Sequence, residues 1–316
     1  ILWRGFLARP FNPRGRWALW EFYERHPCRW SRSAFPAGAS FVTVSPSGEI
    51  AVASNTGEIA IYEPARGDEV RRWTADTRLP LAMRFSADGR SLVVVKRTAV
   101  MSTFDLATSA EPTPPSKEVP IPSPTGGVAF GLSGDGTRFA FWKRGGELLI
   151  INTSDGTVTQ TLKDDGADPA SCIAFSDSGD LLAIGTAGGS LRVLNHATGE
   201  IVRAWTTEPG NLIGLDFSDD GSLVAAGHRN RFIRVMRVSG GEVVGTFRSE
   251  LAASRYVEIS PDGRNLMGSD MGATCIWDIP AGRLTREIAM HRGGSAEAAW
   301  TRDGTGLVST GRDGML

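Results

Sequence analysis

Histidine is the side chain best suited to metal binding and proton transfer near neutral pH, so its placement is the first test for chemistry in this chain. The four histidines of the 316-residue sequence are far apart, at His26, His196, His228 and His291. No two have the spacing of a zinc-binding His-x-x-x-His pair. His196 lies in an Asn-His-Ala-Thr-Gly turn, where we expect it to be solvated. The histidines therefore predict no metal site.

Cysteines and carboxylates form no catalytic set either. Cys28, Cys172 and Cys275 contain no Cys-x-x-Cys motif, and we interpret them as reduced, buried thiols. Aspartate pairs such as Asp219-Asp220 lie in turns without the pattern of a calcium loop, and we interpret them as capping groups. Gly-x-Ser-x-Gly is absent. We predict a protein that is not an enzyme and that has no metal and no cofactor.

Glycine-containing turns organise the sequence instead. A Ser/Thr-x-x-Gly phrase occurs seven times, and its glycines are Gly48, Gly89, Gly136, Gly179, Gly221, Gly263 and Gly304. They are 41, 47, 43, 42, 42 and 41 residues apart. Glycine takes the positive φ of a tight turn, and Ser or Asp before it can hydrogen-bond to the local backbone. A period of roughly 40–45 residues is typical of propellers with four strands per repeat.

Each repeat can be divided into four strands, a to d in chain order. Strand a precedes the turn. Strand b is short and apolar, as at 181–184, which predicts a strand covered on both faces. Strand d is more polar, as expected at an exposed edge. The longest spacing coincides with six prolines between Pro112 and Pro124, which predict an extended connection between strands c and a, with a polyproline ligand as the alternative.

This pattern resembles the WD40 family of β-propellers over roughly residues 26–316. Strand c of the sixth repeat ends in the full dipeptide Trp277-Asp278, whereas the third holds Ile151-Asn152 there. The resemblance implies an all-β fold, a seven-bladed β-propeller of four-stranded antiparallel blades whose last blade is incomplete in this chain. It implies structural roles for Trp277 and Asp278. It also implies a buried network in the last repeat that contains His291, Ser309 or Thr310, and Asp313.

The two ends of the chain are predicted to differ from the repeats. Residues 1–25 are rich in Arg and aromatic side chains, and we expect an N-terminal extension or linker before a propeller at 26–316. A membrane or nucleic-acid contact is the alternative for this extension. We expect residues 26–30 to supply the outer strand of the last blade, and the natural protein to continue beyond Leu316. The alternative is that further strands follow and that 26–30 are only a lead-in.

Charge indicates a candidate binding surface. The formal net charge of −1 gives no overall attraction to nucleic acid or membranes. In a propeller the b–c and d–a connections lie on one face, called the top face here, and the a–b and c–d turns lie on the bottom face. The turn aspartates predict an acidic bottom face. The candidate partner-binding residues are the top-face cations Lys96, Arg97, Lys143, Arg144, Arg229, Arg231, Arg255, Arg292 and Arg312.

The sequence thus predicts a non-enzymatic scaffold that binds a protein or peptide, with an acidic segment as the candidate ligand of the top face, as one module of a larger regulatory protein. The alternative for the cations is that they only solvate turns. The alternative function is a lactonase-like or quinoprotein-like propeller with a ligand site in its central channel, which requires convergent His, Asp or Glu.

We further expect a monomeric propeller within a longer cytoplasmic chain. We expect no specific nucleic-acid partner. No apolar run approaches the roughly 18 residues of a spanning helix, so we expect no transmembrane segment.

Overall fold

The structure is a computed structural model that describes residues 28–75, 80–107, 115–122, 127–143, 145–163, 168–207, 210–248, 255–270, 273–288, 291 and 295–316. These residues form 26 strands, β1 to β26, and their regular structure contains no helix. In this part of the chain, therefore, no helix has the length and apolar character needed to cross a membrane. The predictions for residues 1–25 lie outside the described residues.

Three four-stranded antiparallel blades come from the first half of the chain. Blade 1 contains β1 (Ala39–Val44), β2 (Ile50–Ser54), β3 (Glu58–Tyr62) and β4 (Glu69–Thr74). Blade 2 contains β5 (Ala82–Phe85), β6 (Ser91–Lys96), β7 (Val100–Asp105) and β8 (Lys117–Pro120). Blade 3 contains β9 (Gly127–Leu132), β10 (Arg138–Lys143), β11 (Glu147–Asn152) and β12 (Val158–Lys163).

Three further blades repeat this arrangement. Blade 4 contains β13 (Ala170–Phe175), β14 (Leu181–Thr186), β15 (Ser190–Asn195) and β16 (Ile201–Thr206). Blade 5 contains β17 (Leu212–Phe217), β18 (Leu223–His228), β19 (Phe232–Arg237) and β20 (Val243–Arg248). Blade 6 contains β21 (Tyr256–Ile259), β22 (Asn265–Asp270), β23 (Ala273–Asp278) and β24 (Arg283–Ile288).

The described residues form six four-stranded blades instead of the seven blades predicted, and the blade predicted to be incomplete is only a two-stranded sheet. The last two strands, β25 (Ser295–Trp300) and β26 (Leu307–Gly311), form a two-stranded sheet. Beyond β26 there is a turn and then one isolated antiparallel bridge between Met315 and Ser33. In this sheet, therefore, the described residues form two strands and one short backbone bridge instead of a four-stranded ladder.

Burial follows the predicted order of strands from the inside to the outside of each blade. Every residue of β2 and of β18, which are b strands, is buried. By contrast, β24, a d strand, is exposed at five of its six positions. The apolar b runs therefore lie between neighbouring blades, and the polar d strands form the outer edge.

The Pro-rich stretch contains a strand that the sequence did not predict. Strand d of blade 2, β8, ends at Pro120 and pairs only with β7. Proline removes a backbone donor, and an outer edge strand tolerates this because half of its donors face away from the sheet. The expected connection between strands c and a is therefore interrupted by a d strand.

The a–b turns have the predicted chemistry. In blade 6, Asp262 Oδ1 accepts hydrogen bonds from Ser260 Oγ at 2.6 Å and from the backbone N–H of Arg264 at 3.0 Å. Gly263 then takes a φ of 70°. Asp88, Asp135, Asp220 and Asp303 make the same pair of contacts in their own turns. The interpretation of turn aspartates as capping groups is confirmed at these positions.

Apolar clusters join each sheet to the next around a ring. The cluster between blade 1 and the two-stranded sheet combines Val52 and Tyr62 with Val308 and Leu316. Backbone hydrogen bonds support this junction, because Arg32 and Leu316 exchange two N–H···O bonds of 2.9 Å. The outer strand expected at 26–30 is not found at 28–30, and residues 32–35 make the contacts with 314–316 instead.

Candidate functional site

Five of the nine predicted top-face cations are exposed side chains. They are Arg97, Arg229, Arg231, Arg255 and Arg312, and they belong to blades 2, 5 and 6 and to the two-stranded sheet. Arg97, Arg229, Arg255 and Arg312 form no ion pair with any described residue. Arg144 and Arg292 lie outside the described residues.

The two lysines of this set already have partners. Lys96 is nearly buried, and its Nζ lies 2.7 Å from Glu118 Oε1, which also accepts from Ser102 Oγ. The hydrogen bond from Lys96 lowers the pKa of Glu118. Lys143 Nζ lies 3.4 Å from Glu147 Oε2. The two lysines are thus neutralised by neighbouring strands, whereas the four arginines have no ion pair within the described part of the chain.

Trp277 lies in the core and Asp278 lies beside a turn. Trp277 is 2% exposed in the apolar cluster between blades 5 and 6, with its ring centroid 6.1 Å from that of Phe247. Asp278 Oδ1 accepts a hydrogen bond of 2.8 Å from the backbone N–H of Ala281 in the c–d turn. Asp278 forms no ion pair with a described residue.

The last repeat brings three predicted side chains together. His291 Nδ1 lies 3.0 Å from Asp313 Oδ1, and His291 Nε2 lies 2.9 Å from Ser309 Oγ. The imidazole is 4% exposed, so both of its nitrogens are satisfied away from water. Thr310, the other hydroxyl considered from sequence, is also buried but makes no such bond.

Three carboxylates that the sequence did not single out connect consecutive sheets around the central channel. Asp216 Oδ2 of blade 5 accepts from the backbone N–H of Ile259 in blade 6 at 2.8 Å. Glu258 of blade 6 accepts from Trp300 N of the two-stranded sheet at 3.1 Å. Glu297 of that sheet accepts from Val42 N of blade 1 at 2.8 Å.

These bonds use backbone groups that a propeller leaves unpaired. Strand a is the innermost strand and pairs on one side only, so every second N–H points toward the channel. In β21, for example, Ser260 N donates to Asn265 O of the hairpin, which leaves the neighbouring Ile259 N on the free edge. A carboxylate from the preceding sheet fills that position. The three residues therefore form a carboxylate relay, defined here as Asp216, Glu258 and Glu297.

Burial determines the ionisation of the carboxylate relay. Desolvation raises the pKa of Asp216 to about 7 and that of Glu297 to about 8. Desolvation, followed by the charge of Asp216, raises the pKa of Glu258 well above its ordinary value. Arg84 of blade 2 opposes all three shifts. The Arg84 guanidinium makes no hydrogen bond to a described residue, so it lowers these pKa values only through the attraction of its charge across the channel.

The bottom mouth of the channel is also charged. Arg302 Nη1 reaches Asp219 Oδ2 at 3.0 Å, from the turn of the two-stranded sheet to the turn of blade 5. Desolvation and the nearby Asp177 raise the pKa of Asp219.

The sequence contained a signal for the charges in the channel. Arg84, Asp216 and Glu258 occupy the same position in their repeats, two residues before the Ser of the turn. Such a repeat-aligned charge is unusual in an inner strand.

Two expectations about single residues are corrected. Cys172 and Cys275 are buried, and desolvation raises the pKa of Cys172 to about 12, but Cys28 is exposed. His196 is half-buried instead of fully solvated, because it lines a cleft between blades 3 and 4. Among the described residues there is no group of His, Cys, Asp and Glu arranged to hold a metal ion.

Comparison with known proteins agrees with this architecture. Residues 156–195 match the family described as WD domain, G-beta repeat. They run from the start of blade 3's strand d through strand c of blade 4, so the matched unit crosses one blade junction. A comparison with curated proteins finds no match.

The fold is that of a solved propeller. The crystal structure of the Cps50 (Swd1) beta-propeller domain from Myceliophteria thermophila superposes with a TM-score of 0.75 and 17% sequence identity. The match covers 88% of this chain and 95% of that domain. Because 1892 solved chains match, the fold by itself selects no partner.

The protein is therefore a β-propeller with four-stranded antiparallel blades. It contains a WD repeat at 156–195, and its resemblance to the WD40 propellers is confirmed by that match and by the fold.

Proposed function

We propose that this propeller is a non-enzymatic protein-interaction module that docks an acidic segment of a partner on its top face. The observation that carries the proposal is the set of four exposed arginines without an ion pair among the described residues: Arg97, Arg229, Arg255 and Arg312. Arg144, Arg231 and Arg292, predicted from the sequence, belong to the same proposed surface. Lys96 and Lys143 do not, since Glu118 and Glu147 neutralise them.

Unpaired arginines on a rigid ring suit this task. A guanidinium binds a carboxylate through two parallel N–H donors and is more weakly hydrated than an ammonium group. Arg229 and Arg255 belong to neighbouring blades, and Arg312 belongs to the next sheet, so one side of the ring carries three of the four charges. A positive surface of this kind raises the association rate of an acidic partner and makes it sensitive to salt.

A labelled octaglutamate peptide tests the proposal by fluorescence anisotropy at low salt. We expect the native chain to bind it, and Arg229→Glu combined with Arg255→Glu to weaken binding by about tenfold or more, since two attractive contacts become repulsive. Affinity should also fall as salt rises from about 0.05 to 0.2 M, because screening shortens the range of these charges.

The control applies the same charge change to the bottom face. Arg90 and Arg264 are exposed arginines that follow a–b turns, so Arg90→Glu with Arg264→Glu alters net charge equally. Binding by this variant should stay within about twofold of the native affinity. Equal losses in both double variants, or no binding by the native chain, would refute the proposal. Melting temperatures show whether either variant is unfolded.

A second candidate, a small-ligand or enzymatic site in the central channel, is favoured by the carboxylate relay. Three carboxylates from three sheets converge with Arg84 around one channel. Each also accepts a backbone N–H, which supports a structural role first. Metal analysis and absorbance spectra of the purified protein distinguish the two candidates, since a bound metal ion or quinone would favour the channel site.

A further inference from the structure

A cleft of about 340 Å³ lies between blades 3 and 4, on the side of the bottom face. Blade 3 lines it with Thr137, Arg138, Asn152 and Thr159, and blade 4 adds His196 from its c–d turn. This volume is at the lower end of the range for small-ligand sites. None of the five lining side chains is a carboxylate, which sets the cleft apart from the channel.

His196 departs from the repeat at this point. The residue after strand c donates its backbone N–H to the residue that precedes strand b, as His196 N does to Asp180 O at 2.9 Å. The residues that make this bond in other blades are Leu106, Thr153, Val238 and Ile279. None of them can carry a charge, and His196 is half-buried in the same position. No described side chain hydrogen-bonds to its ring.

Arg138 is a second departure, on the other side of the cleft. It is the first residue of strand b, where other blades have Ser91, Leu181, Leu223 and Asn265. Its Nη1 lies 3.5 Å from Thr137 Oγ1 and 3.7 Å from Asp135 Oδ2, and both contacts are too long to be strong hydrogen bonds. The guanidinium therefore has unused donors beside the cleft.

The nearby Asp135 is occupied by its own turn. Its Oδ1 accepts from Ser133 Oγ at 2.5 Å and from Thr137 N at 3.0 Å, and its Oδ2 accepts from Thr137 Oγ1 at 2.7 Å. Asn152 likewise uses its Oδ1 for the backbone N–H of Ser154, which leaves its NH₂ group as a donor. The cleft thus presents donors to any ligand and requires an acceptor-rich group.

We propose that this cleft binds one anionic group, a carboxylate or a phosphate, through the Arg138 guanidinium with His196 and Asn152 as additional donors. A guanidinium held beside further N–H donors forms short, charge-assisted bonds to such groups. The cleft is separate from the top face, so this inference does not depend on the proposed function. Either can fail without the other.

The charges around His196 predict how binding depends on pH. Burial, followed by the charge of Arg138, lowers the pKa of His196, while Asp180 and Asp135 oppose the shift. The imidazole is therefore neutral at pH 7. A bound anion stabilises the imidazolium and raises that pKa, so binding of acetate, whose own pKa lies well below that of histidine, strengthens as the pH falls through the His196 titration.

Nuclear magnetic resonance of the ¹⁵N-labelled chain, titrated separately with sodium acetate and inorganic phosphate, tests the proposal. We expect shift changes centred on the amides of Thr137, Asn152 and His196. The Arg138→Gln variant should weaken binding by about tenfold or more, because it removes the charge-assisted contact. Saturation by acetate alone assigns a carboxylate, and saturation by phosphate alone assigns a phosphoryl group. Response to neither anion overturns the proposal.

Two further variants separate binding from folding. The His196→Val variant introduces the apolar residue found at Val238, so it should keep the melting temperature and remove the pH dependence of acetate binding near the histidine pKa. The matched control is Arg264→Gln, an exposed arginine on the same face, which should leave both titrations unchanged. If Arg138→Gln does not fold, Arg138→Lys replaces it, and an unchanged affinity in that variant overturns the proposal because the lysine lacks the planar fork.

Discussion

Trp277 packs into the junction of blades 5 and 6, and nothing in its surroundings requires a binding role. Its indole lies against Phe247 and beside Gly268, where a side chain larger than hydrogen would meet the ring. The only full Trp-Asp dipeptide of the chain is thus a packing element. Functional residues are therefore expected at positions where the repeats differ from one another.

The Trp277→Ala variant should lower the free energy of unfolding by about 3–5 kcal/mol, because it leaves a cavity between two blades. Chemical denaturation measures this loss. The control is Leu284→Ala, which removes the cross-strand neighbour of Trp277 at an exposed position and should cost less than about 1 kcal/mol. Similar losses in the two variants would contradict the assignment of Trp277 to the core.

At the scale of elements, the inner strands explain why charge occurs in the middle of this protein. A propeller exposes the free edges of its a strands to the central channel, and the carboxylate relay fills three of these edges. Each carboxylate takes an N–H that otherwise needs water. The cost is that three carboxylic acids lie where desolvation makes loss of the proton unfavourable.

The carboxylate relay predicts that stability decreases as the pH rises from about 5 to 8. Its pKa values in the folded chain lie above the unfolded values of about 4, so the folded state holds protons that the unfolded state has released. Stability from these groups is fully present below the unfolded pKa and is lost as the pH rises through the folded pKa. Melting temperatures across this interval measure the slope.

Neutral amides should flatten that slope. In Asp216→Asn and Glu297→Gln the amide oxygen can still accept the backbone N–H, but no proton is lost as the pH rises. The matched control is Asp303→Asn, since hydrogen bonds from Thr301 and Thr305 lower the pKa of Asp303 to about 2. The stability that ionised Asp303 contributes is lost only in acid. The Asp303→Asn variant should therefore leave the change of melting temperature between about pH 5 and 8 as it is in the native chain. A native slope of the opposite sign would refute the assignment of raised pKa values to the carboxylate relay.

At the scale of the whole molecule, the ring is closed by a short backbone junction. Gly314 O accepts from Ala34 N at 2.8 Å and from Phe35 N at 3.1 Å, and the buried Leu316 packs beside Phe35. Gly314 has a φ of 74°, and a Cβ there would collide with the carbonyl oxygen of Phe35. Close approach of the two segments therefore depends on glycine.

The Gly314→Ala variant tests this junction. Gly263→Ala is its control, because Gly263 has a similar φ of 70° but has open space where a Cβ would lie. Both variants should lose about 1–2 kcal/mol from backbone strain. Gly314→Ala should lose about 1–3 kcal/mol more from the collision. Equal unfolding free energies in denaturant would show that the junction contributes nothing to closure.

The repeat in the sequence predicted the elements well and the closure of the ring poorly. Turn chemistry is local, so Ser260-Pro-Asp-Gly263 predicts its own hairpin, and the apolar b strands predict their own burial. Closure is not local, because residues 32–35 and 314–316 meet only after the ring has formed. The d strand at Lys117–Pro120 was missed because proline argues against a strand unless that strand is known to lie at an edge.

The sequence by itself determined the propeller class and the turn positions, because each depends on residues within one repeat. Only the tertiary structure decided which charged side chains are available to bind a partner or ligand. It paired Lys96 with Glu118, left Arg229 and Arg255 without an ion pair to any described residue, and brought Asp216, Glu258 and Glu297 to one channel. It also brought Arg138 and His196, 58 positions apart in the chain, to one cleft. The physical reason is that electrostatic partners are set by distance across blades, which the spacing of a repeat does not encode.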